Sequence, residues 1–189
     1  ALGIATLVFV TLVQTQLTRQ LERDARGVDL VVGAKGSPLQ LVLSAVYQVD
    51  IPTGNVPLGA VGQLRANRLV AQAIPLSMGD SYRGFRIVGT EPGFLGLHQA
   101  VLAGGRLWQG PMEAVLGAEV ARISGLAAGA ELMGTHGLAP GGAVHEDARY
   151  QVVGVLAPTG GVIDRLVLTD VASVWRVHEG EIEDEVERR

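Results

Sequence analysis

The chain opens on an apolar run that is followed by an amphipathic segment. Residues 1–13 contain no charged side chain. A helix needs about 20 such residues to cross a bilayer, so the run predicts either the end of a transmembrane helix that begins before residue 1 or a buried core helix. A signal peptide is disfavoured, because residues 14–21 offer no small-residue cleavage site and continue the helical pattern.

The amphipathic segment predicts a stalk that carries this helix out of the membrane. An apolar residue recurs about every four positions, and charged residues lie between these positions. An unbroken helix over residues 1–26 would be about 39 Å long at 1.5 Å per residue, and Gly27 is its predicted end. The apolar stripe consists of Leu17, Leu21, Ala25 and Val28.

The stretch after the stalk predicts a strand, a turn and a helix. Residues 29–33 contain a run of three branched apolar residues bounded by glycine, a pattern typical of a buried strand. Ser37 followed by Pro38 predicts a helix start, since serine caps a helix and proline fits its first position. Helical spacing of apolar residues continues to Tyr47, and residues 50–55 are turn formers.

The middle of the chain predicts a hairpin and two helices. Residues 57–67 have apolar positions along one side of a helix. Residues 69–76 and 82–89 are predicted strands, and the Gly-Asp pair within residues 78–80 is typical of a hairpin turn. Residues 114–126 predict a second helix, which ends near a glycine.

The last third of the chain predicts three strands and a closing helix. The strands are residues 127–133, 150–156 and 164–170. Asp170 is a suitable N-cap for the helix, and residues 179–189 are too charged to stay in the core. The apolar positions of this helix are Val171, Val174, Trp175, His178 and Ile182.

These elements predict an α+β fold with two subdomains and two flanking stalks. A mixed α/β subdomain would comprise residues 28–90 and 161–178. Short apolar pieces broken by glycine mark residues 91–160 as a smaller β-rich insert. Residues 1–27 would be the end of a transmembrane helix with its stalk, and residues 179–189 a second stalk.

The composition of the chain excludes several classes of partner and site. The formal net charge is −4, and no basic stripe with interleaved aromatic residues is present, so nucleic acid is excluded as a partner. The chain has no cysteine, so it holds no disulfide, thiol nucleophile or thiolate metal site. Hydrophobic residues make up 48% of the chain and charged residues 18%, which is apolar for a soluble domain.

No catalytic, metal or cofactor site is predicted. Residues 33–37 resemble a phosphate-binding loop, but Lys35 precedes the second glycine and the required spacing fails. The four histidines are scattered, and the cluster at residues 145–147 is more typical of a solvated loop than of a metal site. No serine lies in a Gly-x-Ser-x-Gly motif, so a hydrolase is disfavoured.

Residues 29–47, followed by residues 50–55, carry a specific likeness. This stretch resembles the segment just after the first transmembrane helix in MacB/FtsX-type ABC transporter permeases. Further segments resemble the extracytoplasmic core of that family in order and spacing. These segments are residues 103–107, 113–121, 125–129 and 150–156.

The resemblance implies a place in a larger assembly. In that family one large periplasmic domain lies between the first two of four transmembrane helices. A cytoplasmic ABC ATPase subunit partners a permease homodimer, and its motion passes along stalk helices to the outer domain. The chain has one apolar segment and no ATPase motif, so we expect one domain of a longer inner-membrane permease, with a periplasmic partner protein as a further expectation.

Two groups of residues are predicted to matter for that function. The first is a membrane-proximal junction, and the second couples the stalks to the domain. The junction comprises Lys35, Ser37, Pro38, Asp50, Pro52, Gly54 and Asn55. The coupling residues are Leu17, Leu21, Val174 and Trp175.

A ligand-capture module is the alternative function. Such a module would bind a hydrophobic or peptide substrate without a mechanical signal. It predicts a concave apolar pocket between the two subdomains, with a few convergent polar groups.

Overall fold

A computed structural model describes residues 2–136 and 144–177, including all of their side chains except those of residues 136 and 144–148. The long helix predicted at the start of the chain is confirmed. Helix α1 spans Leu2–Asp24, and the chain leaves it through Gly27, whose φ is +75°. Within the described ranges, α1 alone is long and apolar enough to cross a membrane, and none of its apolar window is buried. This exposure favours a membrane helix over a buried core helix.

The helix predicted at Ser37 is confirmed, while the strand predicted before it is wrong. Helix α2 spans Pro38–Ala45, and the Ser37 side chain accepts a hydrogen bond from the Gln40 N–H. Helix α3 follows at Gly59–Ala66. Residues 29–33 form no strand. Leu30 is 76% exposed, because this apolar run finds no neighbouring strand to pair with.

The predicted hairpin exists, but its turn lies four residues later than the sequence indicates. Strand β1 spans Ser77–Tyr82 and β2 spans Phe85–Thr90. Arg83 and Gly84 have φ of 49° and 82°, as a two-residue hairpin turn requires. The Gly-Asp pair therefore lies within β1, and residues 69–76 form no strand.

The helix predicted over residues 114–126 is in fact a strand followed by a shorter helix. After helix α4, Gly93–Leu97, and strand β3, Leu102–Gly105, strand β4 spans Glu113–Leu116. Helix α5 spans Ala118–Ser124. The branched residues of β4 pair with two neighbouring strands, and this pairing outweighs their helical spacing.

Two of the last three strands lie on either side of residues 137–143. Strand β5 spans Glu131–His136 and β6 spans Val144–Leu156. A 3-10 turn, Val162–Arg165, leads into β7, Leu166–Asp170. Residues 171–177 are helical, and we call them α6. The mixture of helices and strands confirms the predicted fold class.

The seven strands of the described residues belong to one sheet. Their order is β3-β6-β4-β7-β2-β1-β5, and β5 also pairs with β6, so the sheet closes on itself. The pairs β2–β7 and β4–β6 are parallel. The division into subdomains stays a prediction, and the pairs β4–β7 and β1–β5 cross its boundaries.

Gly117 offers a test of how tightly the 3-10 turn is packed. A Cβ atom there would lie 2.4 Å from the carbonyl oxygens of Ile163 and Asp164, and both of these are backbone atoms. Gly117→Ala should therefore lower the free energy of unfolding of the chain by about 2 kcal/mol or more, measured by urea denaturation.

The matched control is Gly62→Ala in α3, where a Cβ atom would meet nothing within 4 Å. This substitution should raise the stability by roughly 0.5 kcal/mol, because alanine is the better helix former. Equal effects of the two substitutions would contradict the packing described here.

Candidate functional site at the end of the first helix

The C-terminal end of α1 is fixed to the loop that precedes the 3-10 turn. Asp24 is only 5% exposed, and its Oδ1 accepts a hydrogen bond of 2.7 Å from the Val162 N–H. Gln20 Nε2 donates to the Asp24 carboxylate at 3.1 Å and to the Gly160 carbonyl at 3.1 Å. Arg23 Nη1 donates to the same carbonyl at 2.9 Å. We call these five residues the α1 clamp.

Asp164 shapes the loop side of the clamp. Its carboxylate accepts hydrogen bonds from the Thr159 N–H at 2.9 Å and the Gly160 N–H at 2.7 Å. The Thr159 hydroxyl donates a third bond, at 2.8 Å. The loop is thereby held with the Gly160 carbonyl and the Val162 N–H facing α1.

The clamp connects directly to the centre of the sheet and to α6. The 3-10 turn continues into β7, which lies between β4 and β2. Asp170 then caps α6, since its Oδ1 accepts a bond of 2.8 Å from the Ala172 N–H. The predicted N-cap is therefore confirmed.

Helix α6 packs closely on β2. A Cβ atom on Gly89 would lie 2.9 Å from Val174 Cγ2 and 3.1 Å from the Val171 Cα. Val174 itself is 2% exposed. Helix α6 thus attaches to β2 through side-chain contacts. Helix α1 attaches to the turn that precedes β7, the strand next to β2.

The coupling residues predicted on the stalks fall into two environments. Val174 is buried against the sheet, whereas Leu17, Leu21 and Trp175 are 59%, 41% and 43% exposed. The contact between α1 and the domain is made by the polar residues of the clamp instead. A coupling role for the four predicted residues stays a prediction.

The residues of the predicted junction lie on two loops that the fold brings together. The Thr53 hydroxyl donates to the Ala34 carbonyl at 2.9 Å, and a Cβ atom on Gly36 would meet Thr53 at 2.8 Å. Asp50 makes a local bond, accepting from the Ile51 N–H at 2.8 Å. The other junction residues are exposed or half-buried. Their membrane-proximal role stays a prediction. The exposed positions are Lys35, Ser37, Pro38, Gly54 and Asn55, with Asp50 and Pro52 half-buried.

A polar cavity of about 200 Å³ adjoins the clamp, and its lining includes Arg23, Arg26 and His98. The His98 ring packs edge-on against Phe94, with ring centroids 4.6 Å apart. Burial lowers the pKa of His98, and the negative charge of Asp24 opposes this shift. His98 is therefore held in its neutral form to a lower pH than an exposed histidine.

The described residues contain no group of three or more histidine, aspartate or glutamate side chains that could hold a metal ion. The acidic and histidine cluster at residues 145–147 and His178 lie outside the described side chains.

Comparison with protein-family models matches residues 1–187 to the MacB-like periplasmic core domain. The chain belongs to this family. It is the extracytoplasmic domain of a MacB-like ABC transporter permease and lies on the periplasmic side of the bacterial inner membrane. The predicted family and location are thereby confirmed. The family is one of transporter permease domains and not a family of enzymes.

The MacB-like domain resembles two solved structures, of which the first supports its fold. The periplasmic region of MacB from Actinobacillus actinomycetemcomitans is 12% identical, with a TM-score of 0.50, over 82% of this chain and 70% of that one. The extracellular domain of the noncanonic ABC-type transporter YknZ from Gram-positive bacteria is 14% identical, with a TM-score of 0.44. That match covers 63% of this chain and 64% of YknZ's. No curated protein sequence matches the chain.

The clamp of this MacB-like domain was not found from the sequence, although one signal was available. Gln20, Arg23 and Asp24 are polar and are therefore expected to face solvent, although Asp24 follows Leu17 by seven positions and shares the helical face of the apolar stripe. However, an aspartate in the last turn of a helix is unfavourable beside the negative end of the helix dipole. Asp24 at that position indicates a specific partner, which only the fold could identify as Val162.

His98 makes the stability of the MacB-like domain depend on pH. Its pKa in the folded protein is below the ordinary value of 6.5, so the unfolded chain binds more protons as the pH falls through 6.5. The stability contributed by neutral His98 is complete above that value and is lost below it. We expect the urea midpoint of the full chain to decrease as the pH is lowered from about 7.5 to about 5.5. This range lies above the ordinary pKa values of carboxylates.

His98→Gln should flatten this decline, because glutamine does not titrate. Unfolding curves of both proteins at several pH values within the window provide the measurement. An unchanged pH dependence in His98→Gln would show that another group is responsible.

Proposed function

We propose that this domain transmits motion between the membrane and the periplasm, with a cytoplasmic ABC ATPase as the source of that motion. The α1 clamp is the observation that carries the proposal. A membrane helix that moves during the ATPase cycle would move the domain through the contact between them that costs the most free energy to break. In the described residues that contact is the hydrogen-bonded, buried Asp24.

The clamp resists slipping for an electrostatic reason. Moving α1 relative to the loop would separate Asp24 from Val162 and leave a buried carboxylate and a buried N–H unpaired. An unsatisfied buried polar group costs about 1–3 kcal/mol, and a charged one costs more. Movement of α1 is therefore expected to carry the 3-10 turn with it.

The turn would pass this movement to the sheet and to α6. β7 is hydrogen-bonded to strands on both sides, and α6 packs on Gly89 of the neighbouring strand. In a MacB-like permease, the chain beyond α6 would return to the membrane. Motion would then reach both stalks through one rigid unit. A permease homodimer and a periplasmic partner protein belong to the same proposal.

The capture of a wholly hydrophobic substrate receives less support from the described cavities. Capture of a hydrophobic substrate requires a concave and mainly apolar pocket. The cavity beside the clamp is polar and measures about 200 Å³. A second cavity, of about 330 Å³, is lined in part by two arginines.

Asp24→Ala tests the coupling in the full permease together with its ATPase. Hydrogen exchange of peptides covering residues 159–177 is compared between the ATP-bound and ADP-bound complexes. We expect a nucleotide-dependent difference in the native protein and its loss in Asp24→Ala, while ATP hydrolysis continues. Asp24→Asn keeps an oxygen that can accept from the Val162 N–H, so it should give an intermediate result.

Glu22→Ala is the matched control, since Glu22 is an exposed acidic residue of the same helix. It should retain the full nucleotide-dependent difference. If Asp24→Ala retains it as well, the clamp does not transmit the motion and the proposal fails.

A further inference from the structure

The second cavity lies where the parallel strands β2 and β7 begin, beneath the chain that leaves α2. Its volume is about 330 Å³, at the lower end of the range for small-molecule sites. Tyr47, Phe85 and Leu166 supply apolar walls, and Gln48, Arg86 and Arg165 supply polar groups. The cavity lining thus combines apolar walls with two arginines and an amide.

Arg86 is the unusual member of this lining. Arg86 belongs to β2 and pairs with Leu166 of the parallel strand β7. It is only 4% exposed. Nη1 donates to Met78 Sδ at 3.3 Å, while Nε and Nη2 have no hydrogen-bond partner among the described residues. Burial lowers the pKa of the guanidinium, and the charge of Asp50 opposes that shift.

A buried guanidinium with two unsatisfied nitrogens is costly to maintain. Arginine is effectively always protonated, and its planar fork is suited to bind a carboxylate through two parallel hydrogen bonds. Asp50 acts on Arg86 through its charge, but its Oδ1 already accepts from the Ile51 N–H. The chemistry of Arg86 therefore calls for a further anion.

Gln48 adds a second unsatisfied group to the same cavity. Its Nε2 donates to the Ala45 carbonyl at 2.9 Å, and its buried Oε1 has no partner among the described residues. The residue has a φ of +58°, which is uncommon for a residue other than glycine. Two residues that line the cavity thus carry buried polar atoms without a partner among the described residues, one an acceptor and the other a donor.

We propose that this cavity binds an amphiphilic carboxylate: a monoanion recognised by Arg86, with exposed Arg165 beside it, and a small branched apolar group against Tyr47, Phe85 and Leu166. A volume of about 330 Å³ corresponds to roughly eleven water-sized groups at about 30 Å³ each. The ligand is either a free carboxylic acid or the C-terminal end of a chain, whose adjacent amide N–H would bond to Gln48 Oε1.

Two acids and their primary amides test this site. The full chain in lipid nanodiscs is titrated with 4-methylpentanoate and with N-acetylleucine, and binding is followed by saturation-transfer NMR with empty nanodiscs as the blank. Each acid is compared with its neutral amide of the same size. We expect at least one acid to bind at least tenfold more tightly than its amide. Tighter binding of N-acetylleucine than of 4-methylpentanoate assigns the ligand to a chain end, and the reverse assigns it to a free acid.

Arg86→Met should weaken the binding of the acid at least tenfold without lowering the unfolding midpoint, since it removes a buried charge that lacks full pairing. Arg165→Met, at an exposed position, provides a second variant that does not depend on repacking of the core. Arg68→Met is the control, because Arg68 is an exposed arginine that does not line the cavity.

Three results would overturn the inference. They are equal affinity for the acids and their amides, native affinity in Arg86→Met, and no saturation by either acid up to about 10 mM. The site does not require the proposed coupling function, and the hydrogen-exchange experiment on Asp24 is independent of these titrations.

Discussion

The hydrogen bond between the Asp24 carboxylate and the Val162 N–H is the interaction on which the arrangement of this domain depends. A carboxylate at the C-terminal end of a helix opposes the helix dipole, and burying it removes its hydration. Both costs are offset only while Val162 and Gln20 donate to it. The position of α1 on the domain is therefore fixed by electrostatics more than by the packing of apolar side chains, which remain exposed along the helix.

The closed sheet gives this contact a rigid support. β7 is an interior strand, so a force applied at its beginning acts on hydrogen bonds with β4 and β2 together. The close approach of Gly117 to the 3-10 turn and of Gly89 to α6 leaves little room for either to shift. Closely packed interiors of this kind transmit displacement instead of absorbing it. The clamp and the sheet thus form one mechanical unit.

Local signals in the sequence were sufficient for the helix starts. Ser37 before Pro38 and Asp170 before α6 act within three residues of themselves, so the predictions made from them were correct. Elements that depend on distant partners were predicted poorly. Residues 29–33 were predicted as a strand but have no strand beside them, whereas residues 114–116 were predicted as part of a helix but lie between β6 and β7.

The residues proposed here to be functional follow the same division. Apolar periodicity predicted a stalk and its stripe, of which Leu17 and Leu21 are exposed. The contact of α1 with the domain depends on Asp24 and Val162, which are 138 positions apart, and periodicity carries no information about such a pair. The burial of Arg86 could not be predicted for a similar reason: an arginine in a strand is expected to face solvent, whereas residues 47–49, after α2, lie with Arg86 around the same cavity.

The 3-10 turn joins the clamp to the carboxylate site. The N–H of Val162 is bonded to Asp24, while the same residue and Arg165 line the cavity that contains Arg86. A displacement of α1 that moved this turn would change the shape of the cavity. By thermodynamic linkage, a ligand that preferred one shape would in turn favour one position of α1. Such coupling can be no larger than the difference in affinity of the ligand for the two shapes. Because a single turn forms part of both sites, no longer pathway through the core is required to connect them.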